Sequence, residues 1–218
     1  MTIELPSIEF AARAFLSLLV VVDPAGLVPA FISAAGSRSA TVQRSIARRA
    51  ILIAGGILLA FAIAGDRLFS YLGIQLGAMQ IAGGILLFRI AMDMVFAQLR
   101  RETAEEEAET RSRQDISVFP LAIPLIAGPG TIASVLILGS ETRGAPGAFL
   151  VVLIAGAVVL ALALASLLLA RRLSALLGQT GINVVTRVLG LILAALAIQY
   201  VANGLVGLGI VPAGRGAL

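Results

Sequence analysis

The sequence predicts an all-α polytopic membrane protein: six transmembrane helices arranged as 3+3 inverted repeats, with helices one and four broken. Three observations carry this. Of 218 residues, 59% are hydrophobic and only 13% are charged, with a mean hydropathy of +1.04, whereas soluble domains run about 45–50% apolar and about 25% charged. Six apolar segments reach the roughly 20 residues that a membrane helix needs. Proline–glycine clusters interrupt the first and fourth of these at corresponding places.

The first segment runs from about Ile8 to Ser33 and holds Arg13 and Asp23. Acidic Glu4 and Glu9 stand where a signal peptide has its basic region, so it reads as a permanent helix. The second covers about Ala50–Leu72, with Asp66 and Arg67 near its end, and Leu72–Gly73 supplies the turn into the third, about Ile74–Gln98. That third span is uncharged until Arg89 and Asp93. The fourth (about Ile116–Ser140) and fifth (Ala145–Ala170) carry no charge, and the sixth (about Asn183–Val211) has only Arg187 near its start. Residues 1–99 thus form the first three-helix repeat, 100–115 a charged linker and 116–218 the second repeat. Three spans per half require any repeat to be inverted across the membrane.

Every basic residue is an arginine. Arg38, Arg44, Arg48, Arg49, Arg100, Arg101, Arg111, Arg113, Arg171 and Arg172 fall in loops on one side, and Arg67, Arg143 and Arg215 on the other. Cytoplasmic loops carry the arginine excess, so both termini are expected outside the cytoplasm of a bacterial inner membrane. The net charge of +4 is therefore a topology signal, not a nucleic-acid footprint. The absence of Cys and His argues against thiolate nucleophiles, Ser-His-Asp hydrolysis and the usual metal centres. No catalytic residue, metal site or cofactor is expected. The partners expected are a small-molecule solute and the lipid bilayer, and a homo-oligomer stays open.

The breaks carry the functional expectation. Span one is interrupted by Asp23-Pro24-Ala25-Gly26 and then Pro29, and span four by Gly128-Pro129-Gly130 followed by Thr131. Pro24 and Pro129 stand 105 residues apart. Gly73-Ile74-Gln75 and Gly181-Ile182-Asn183 stand 108 apart. Proline removes an N–H and glycine releases the helix, and the freed backbone groups are costly in lipid unless protein, water or ligand meets them. Half-helix ends offer N–H groups to a carboxylate and carbonyls to a cation. Two facing breaks therefore suit a small zwitterion; closely packed kinked helices without a ligand are the plain alternative.

Asp23 lies about 15 residues into its span, where a carboxylate costs roughly 2.5–3.5 kcal/mol on insertion scales. Proton carrier, counter-ion and internal cap all remain open. Arg89 and Asp93, four apart on one helix face, pair with each other, snorkel, or take part in coupling. Gln199 and Asn203, also four apart, line the cavity or bond a neighbouring helix. Gly73/Gly77 and Ala78/Ala82 are small-residue packing positions.

The runs VVDPAGLVPAFIS, QIAGGILLFRIAMDM, FPLAIPLIAGPGTIAS and RVLGLILAALAIQYVANGL resemble the MarC family of bacterial integral membrane proteins, over about Phe10 to Gly207. Pro120 to Ile132 is the most specific stretch. The resemblance implies a six-helix inner-membrane protein and transport of small neutral amino acids such as glycine and alanine, although other members have no assigned function. The family pattern usually has Asn-Pro where this chain has Asp23-Pro24. Asparagine carries no proton, so the resemblance implies a cap more than an obligatory proton carrier. The expectation is thus a secondary transporter in which one half rocks against the other, with proton coupling through Asp23, Arg89 or Asp93. A channel or non-catalytic assembly subunit is the alternative. An intramembrane aspartyl protease is disfavoured because neither Asp23 nor Asp93 follows Gly-x-Gly.

Overall fold

A computed structural model of the chain describes residues 7–96, 116–142 and 145–212. Seven α-helices and one wider, proline-interrupted helical segment account for almost all of them: α1 (Ile8–Val22), α2 (Leu27–Ala35), α3 (Ala40–Leu72), α4 (Leu76–Val95), the Ser117–Ile126 segment, α5 (Pro129–Glu141), α6 (Pro146–Leu168) and α7 (Ala170–Gly207). Five stretches are long and apolar enough to cross a membrane. Ser117–Ile126 and α5, bent by 53° at their junction, make a sixth when counted as one span. The charged linker expected at 100–115 lies outside the described residues.

Local chemistry sets the boundaries. Ser7 caps α1, its Oγ accepting the Phe10 N–H at 3.2 Å. The helix stops at Asp23, which adopts a left-handed conformation (φ 44°) ahead of Pro24. After α2, Gln43 Nε2 donates to the carbonyls of Ala35, Gly36 and Arg38 at 3.0, 3.2 and 2.9 Å and fastens the turn. Helix α3 ends at Gly73 (φ 68°), where Ile74 N donates back to Phe69 O at 2.9 Å, the 6→1 bond of a Schellman cap.

Several boundaries differ from those read in the sequence. Helix α3 starts at Ala40, ten residues before the expected Ala50, so Arg44, Arg48 and Arg49 stand on a helix and not in a loop. At about 1.5 Å per residue its 33 residues span roughly 50 Å, more than the roughly 30 Å hydrocarbon core. The surplus carries the arginines. Helix α7 likewise begins at Ala170 and includes Arg171 and Arg172, with a break inside it at Gly178 (φ 61°, ψ 177°). The positive-φ glycine in this region is Gly178 and not Gly181; it stands 105 residues after Gly73, the same offset as the two prolines, with an extended ψ of 177° where Gly73 has 19°. Arg171 Nη2 donates to Gly36 O at 3.0 Å, which places these two arginine-bearing turns at one end of the bundle.

The first half of span four also departs from a regular helix. Phe119 and Ile123 are extended (φ −127° and −130°) because each precedes a proline, which disfavours the α region; both Xaa-Pro bonds are cis. Ala127 N closes the segment on Ala122 O at 2.8 Å.

Helices α4 and α7 run antiparallel against each other. Gly77 meets Gly204, Gly84 meets Ala197 and Ala91 meets Gly190, a contact every seven residues on both helices. A Cβ on Gly204 would lie 2.5 Å from Gly77 O, and one on Gly84 would lie 2.6 Å from Ala197 O. Small residues every seventh position give an antiparallel seam with backbones nearly in contact. Part of the expected packing set lies elsewhere: Gly73 is a helix cap with open space around its Cα, and Ala78 and Ala82 are exposed. A larger core joins the remaining helices, with Leu18, Phe31, Ala47, Ala54, Leu121, Leu138 and Val159 almost fully buried.

Candidate functional site

The two breaks meet at one cavity of about 250 Å³. From the first come Val21, Val22, Asp23, Gly26, Leu27 and Pro29; from the second Pro124, Leu125, Gly128, Pro129, Gly130 and Thr131. Helix α4 contributes Ile90, Asp93 and Met94, and α7 contributes Ile182, Asn183 and Thr186.

Asp23 is 8% exposed. Its Oδ1 accepts the Gly26 N–H at 3.1 Å, its carbonyl accepts the Leu27 N–H at 3.1 Å, and the Ala25 N–H also faces the carboxylate. The carboxylate thus caps the restarting helix α2. Gly26 permits this geometry, since a Cβ there would lie 2.1 Å from Asp23 Oδ2. The same arrangement strips the end of α1 of donors. Val20 O would receive an N–H from residue 24, which is proline, and the N–H groups of Ala25 and Gly26 are turned to Asp23. Three carbonyls at the end of α1 therefore lack their i+4 donors, and this end of the cavity is electronegative.

The second break presents the opposite polarity. Gly128 precedes α5 without a side-chain cap, Pro129 occupies its first turn, and Ile132 N is the first amide returned to the helix, to Gly128 O at 3.0 Å. The amides of Gly130 and Thr131 belong to the first turn, which has no intrahelical acceptors. They stand in the cavity wall. Gly130 is held close to α4: a Cβ would lie 2.5 Å from Ile90 Cδ1. The second cavity, about 210 Å³ between α1, α3, α5 and α6, is lined by apolar residues except Thr131 and offers nothing to a charged group.

Of the residues expected at the site, Asp23, Gly26, Pro29, Gly128, Pro129, Gly130, Thr131 and Asp93 line the cavity, and Pro24 is buried in the break beside it. Gln199 and Asn203 do not reach it: Gln199 Nε2 donates to Asn203 Oδ1 at 2.8 Å, and Gln199 is exposed. Within one turn of α7 the two amides thus bond to each other, away from the cavity. Arg89 is exposed on α4, outside the cavity, and makes no ion pair with Asp93 among the described residues. Asn183 and Thr186 were not singled out as site residues, although their spacing of three puts them on one helical face. The Thr186 Oγ1 is buried beside the Asp23 carboxylate without completing a hydrogen bond.

Arg13, in the first broken span, meets the second one. Its Nη2 donates to Glu141 Oε2 at 2.5 Å, with the guanidinium 5.6 Å from the Phe10 ring centre. Glu141 falls one residue past the expected end of span four, so that span ends on a charge.

Five spans, six with the bent pair counted as one, folded around a cavity at two helix breaks define a multi-pass integral membrane protein. The chain belongs to the MarC family: the family described as MarC family integral membrane protein matches residues 8–208. It is 38% identical over 203 residues to UPF0056 membrane protein YvbG of Bacillus subtilis (strain 168), covering 92% of this chain and 96% of that one. It is 38% identical over 198 residues to a UPF0056 membrane protein of Aquifex aeolicus (strain VF5), covering 88% and 91%. Against UPF0056 membrane protein YhcE of Escherichia coli (strain K12) it is 36% identical over 197 residues, covering 89% and 91%. No solved structure matches the chain.

Proposed function

We propose that this protein is a secondary transporter of small neutral amino acids, glycine- or alanine-like, or of similar small zwitterions. The observation that carries the reading is the opposed polarity of a single cavity. Asp93 and the carbonyl end of α1 stand ready for an ammonium group, and the uncapped N-terminus of α5 for a carboxylate. At about 250 Å³ the cavity sits just below the roughly 300–1,000 Å³ of drug-sized sites, a scale for a solute of few atoms. Asn183 and Thr186 supply further hydrogen-bonding groups.

Asp23 is committed to capping α2, which leaves Asp93 as the carboxylate that exchanges a proton in a coupled cycle. The activity is transport and not catalysis, with no cofactor or metal. The arginine asymmetry supports a bacterial inner-membrane protein with both termini outside the cytoplasm, and the shared offset of 105 for the prolines and the positive-φ glycines supports inverted repeats. Counterflow in proteoliposomes tests the reading. Vesicles preloaded with glycine, alanine, serine or threonine should accumulate labelled alanine saturably, and Asp93→Asn should weaken this by about 10-fold or more in apparent affinity. Flux that rises linearly with concentration would replace the carrier with a channel, and no flux of any of these solutes would remove the substrate assignment.

A further inference from the structure

The cavity is walled off from one end of the molecule. Asp93 lies near the C-terminal end of α4, Asn183 and Thr186 lie soon after Gly178, and Pro124 and Leu125 come from the first half of span four. All of these belong to the end where Arg171 reaches Gly36. In the other direction the helices α1, α4, α5 and α7 converge on a dry plug of Val20, Leu87, Ala91, Ile137, Leu193 and Ala197, each no more than 2% exposed. Val21, Ile90 and Met94 both line the cavity and pack on this plug, so it is the cavity's floor.

Beyond the plug the chemistry turns polar again. Tyr200, on the same cluster, faces Ser17, and the two buried hydroxyls complete no hydrogen bond. Gln80 faces Glu141, which holds Arg13. Arg13 precedes Asp23 by ten residues and Glu141 follows Thr131 by ten, so each stands roughly 15 Å along its helix from the cavity. The ion pair thus bridges the two broken spans at one level, with residues 128 apart in sequence. Arg13 is 45% exposed and Glu141 15% exposed, which puts the pair at the outer rim with the acid turned inward.

We propose that Arg13 and Glu141, backed by Gln80 and Tyr200, are the seal that closes the solute path on the side opposite the cavity, and that they separate when the path opens there. The unpaired Ser17 and Tyr200 hydroxyls behind the pair then become the first hydrogen-bonding groups that an entering solute or water meets. This inference rests on the transporter reading, but its first test, thiol labelling, does not require flux.

The chain has no cysteine, so a single Asn183→Cys substitution reports access to the cavity. In sealed membranes of known orientation, a small charged methanethiosulfonate reagent should label it from the end carrying Arg38 and Arg171, and hardly at all from the end carrying Arg67. Adding Arg13→Gln or Glu141→Gln should raise labelling from the Arg67 end at least tenfold, and the charge exchange R13E/E141R should restore protection. Unchanged same-end labelling shows that each variant is folded. Should the neutralised variants stay protected while same-end labelling is intact, the seal is refuted and the transporter reading stands. Absent counterflow together with the expected labelling refutes transport and leaves the seal. Where the neutral variants do not fold, R13C/E141C bridged by a reducible bis-methanethiosulfonate long enough to span the former ion pair decides: blocked counterflow that recovers on reduction supports the seal, and undiminished counterflow in the cross-linked protein overturns it.

Discussion

The seam between α4 and α7 allows a stability prediction with a worked sign. In Gly204→Ala the new Cβ starts 2.5 Å from Gly77 O, 2.7 Å from Ile81 Cγ1 and 3.0 Å from Ile81 N. Two of these neighbours are backbone atoms, so no rotamer change relieves the overlap. Reaching an ordinary contact of 3.4 Å requires the helices to part by about 0.9 Å, and a gap of roughly 0.5–1 Å forfeits about a quarter to a half of the dispersion attraction between facing atoms. Overpacking of this kind costs about 1–3 kcal/mol, and a rigid obstacle puts it in the upper half of that range. Alanine returns about 1 kcal/mol of helix propensity. The net expectation is a loss of about 1–2 kcal/mol, on the order of 2–8 °C in Tm for a chain of this size. Thermal unfolding followed by circular dichroism in detergent measures it. Adding Gly77→Ala should cost less than the two single changes summed, because the first methyl has already opened the gap. A Gly204→Ala protein as stable as the parent, or a strictly additive double variant, would refute the idea that backbone contact holds this seam.

Gly56→Ala is the opposite case: no atom lies within 4 Å of its Cβ position in the middle of α3, so Tm should rise by the equivalent of roughly 0.5–1 kcal/mol. Asp23→Asn keeps an oxygen for the Gly26 N–H and should leave Tm and most alanine counterflow in place, whereas Asp23→Ala should cost about 1 kcal/mol of stability. In Asp93→Asn the loss should fall on exchange instead, about 10-fold or more in apparent affinity, the equivalent of a charge-assisted hydrogen bond of roughly 1.5–3 kcal/mol. Thr186→Val removes a buried hydroxyl that sits beside the Asp23 carboxylate without completing a hydrogen bond; Tm should hold or rise while counterflow weakens, and a fall in Tm with normal exchange would mark a structural hydroxyl.

The breaks were legible because proline and glycine act locally. Pro24 lacks an N–H wherever it stands, and Gly128-Pro129-Gly130 ends a helix in any surroundings. Asp23, Gly26 and Pro29 at one break and Gly128 to Thr131 at the other accordingly come together at one cavity. Long-range features were not legible. Arg13 and Glu141 sit at span edges, where a charge needs no explanation, and nothing in the sequence links positions 128 apart. Helical spacing put Gln199 and Asn203 on one face, but lipid and protein are equally apolar surroundings, so periodicity cannot say which side a face meets. Three glycine-dependent details needed backbone angles: that Gly178 and not Gly181 has the positive φ, that Gly73 is a cap, and that Gly77 meets Gly204.

That last contact bears on how the protein moves. Helix α4 belongs to the first half of the chain and α7 to the second, yet their backbones come nearly into contact at successive levels. A motion that rocked one half bodily against the other would pull this seam apart along three successive contacts. In the proposed transporter the two helices make a spine, one helix from each half, and displacement falls to the parts hung on it, the spans broken at Asp23 and Gly128. The border between fixed and moving parts then runs across the halves, and a rigid label on α4 should keep its distance to one on α7 throughout a transport cycle.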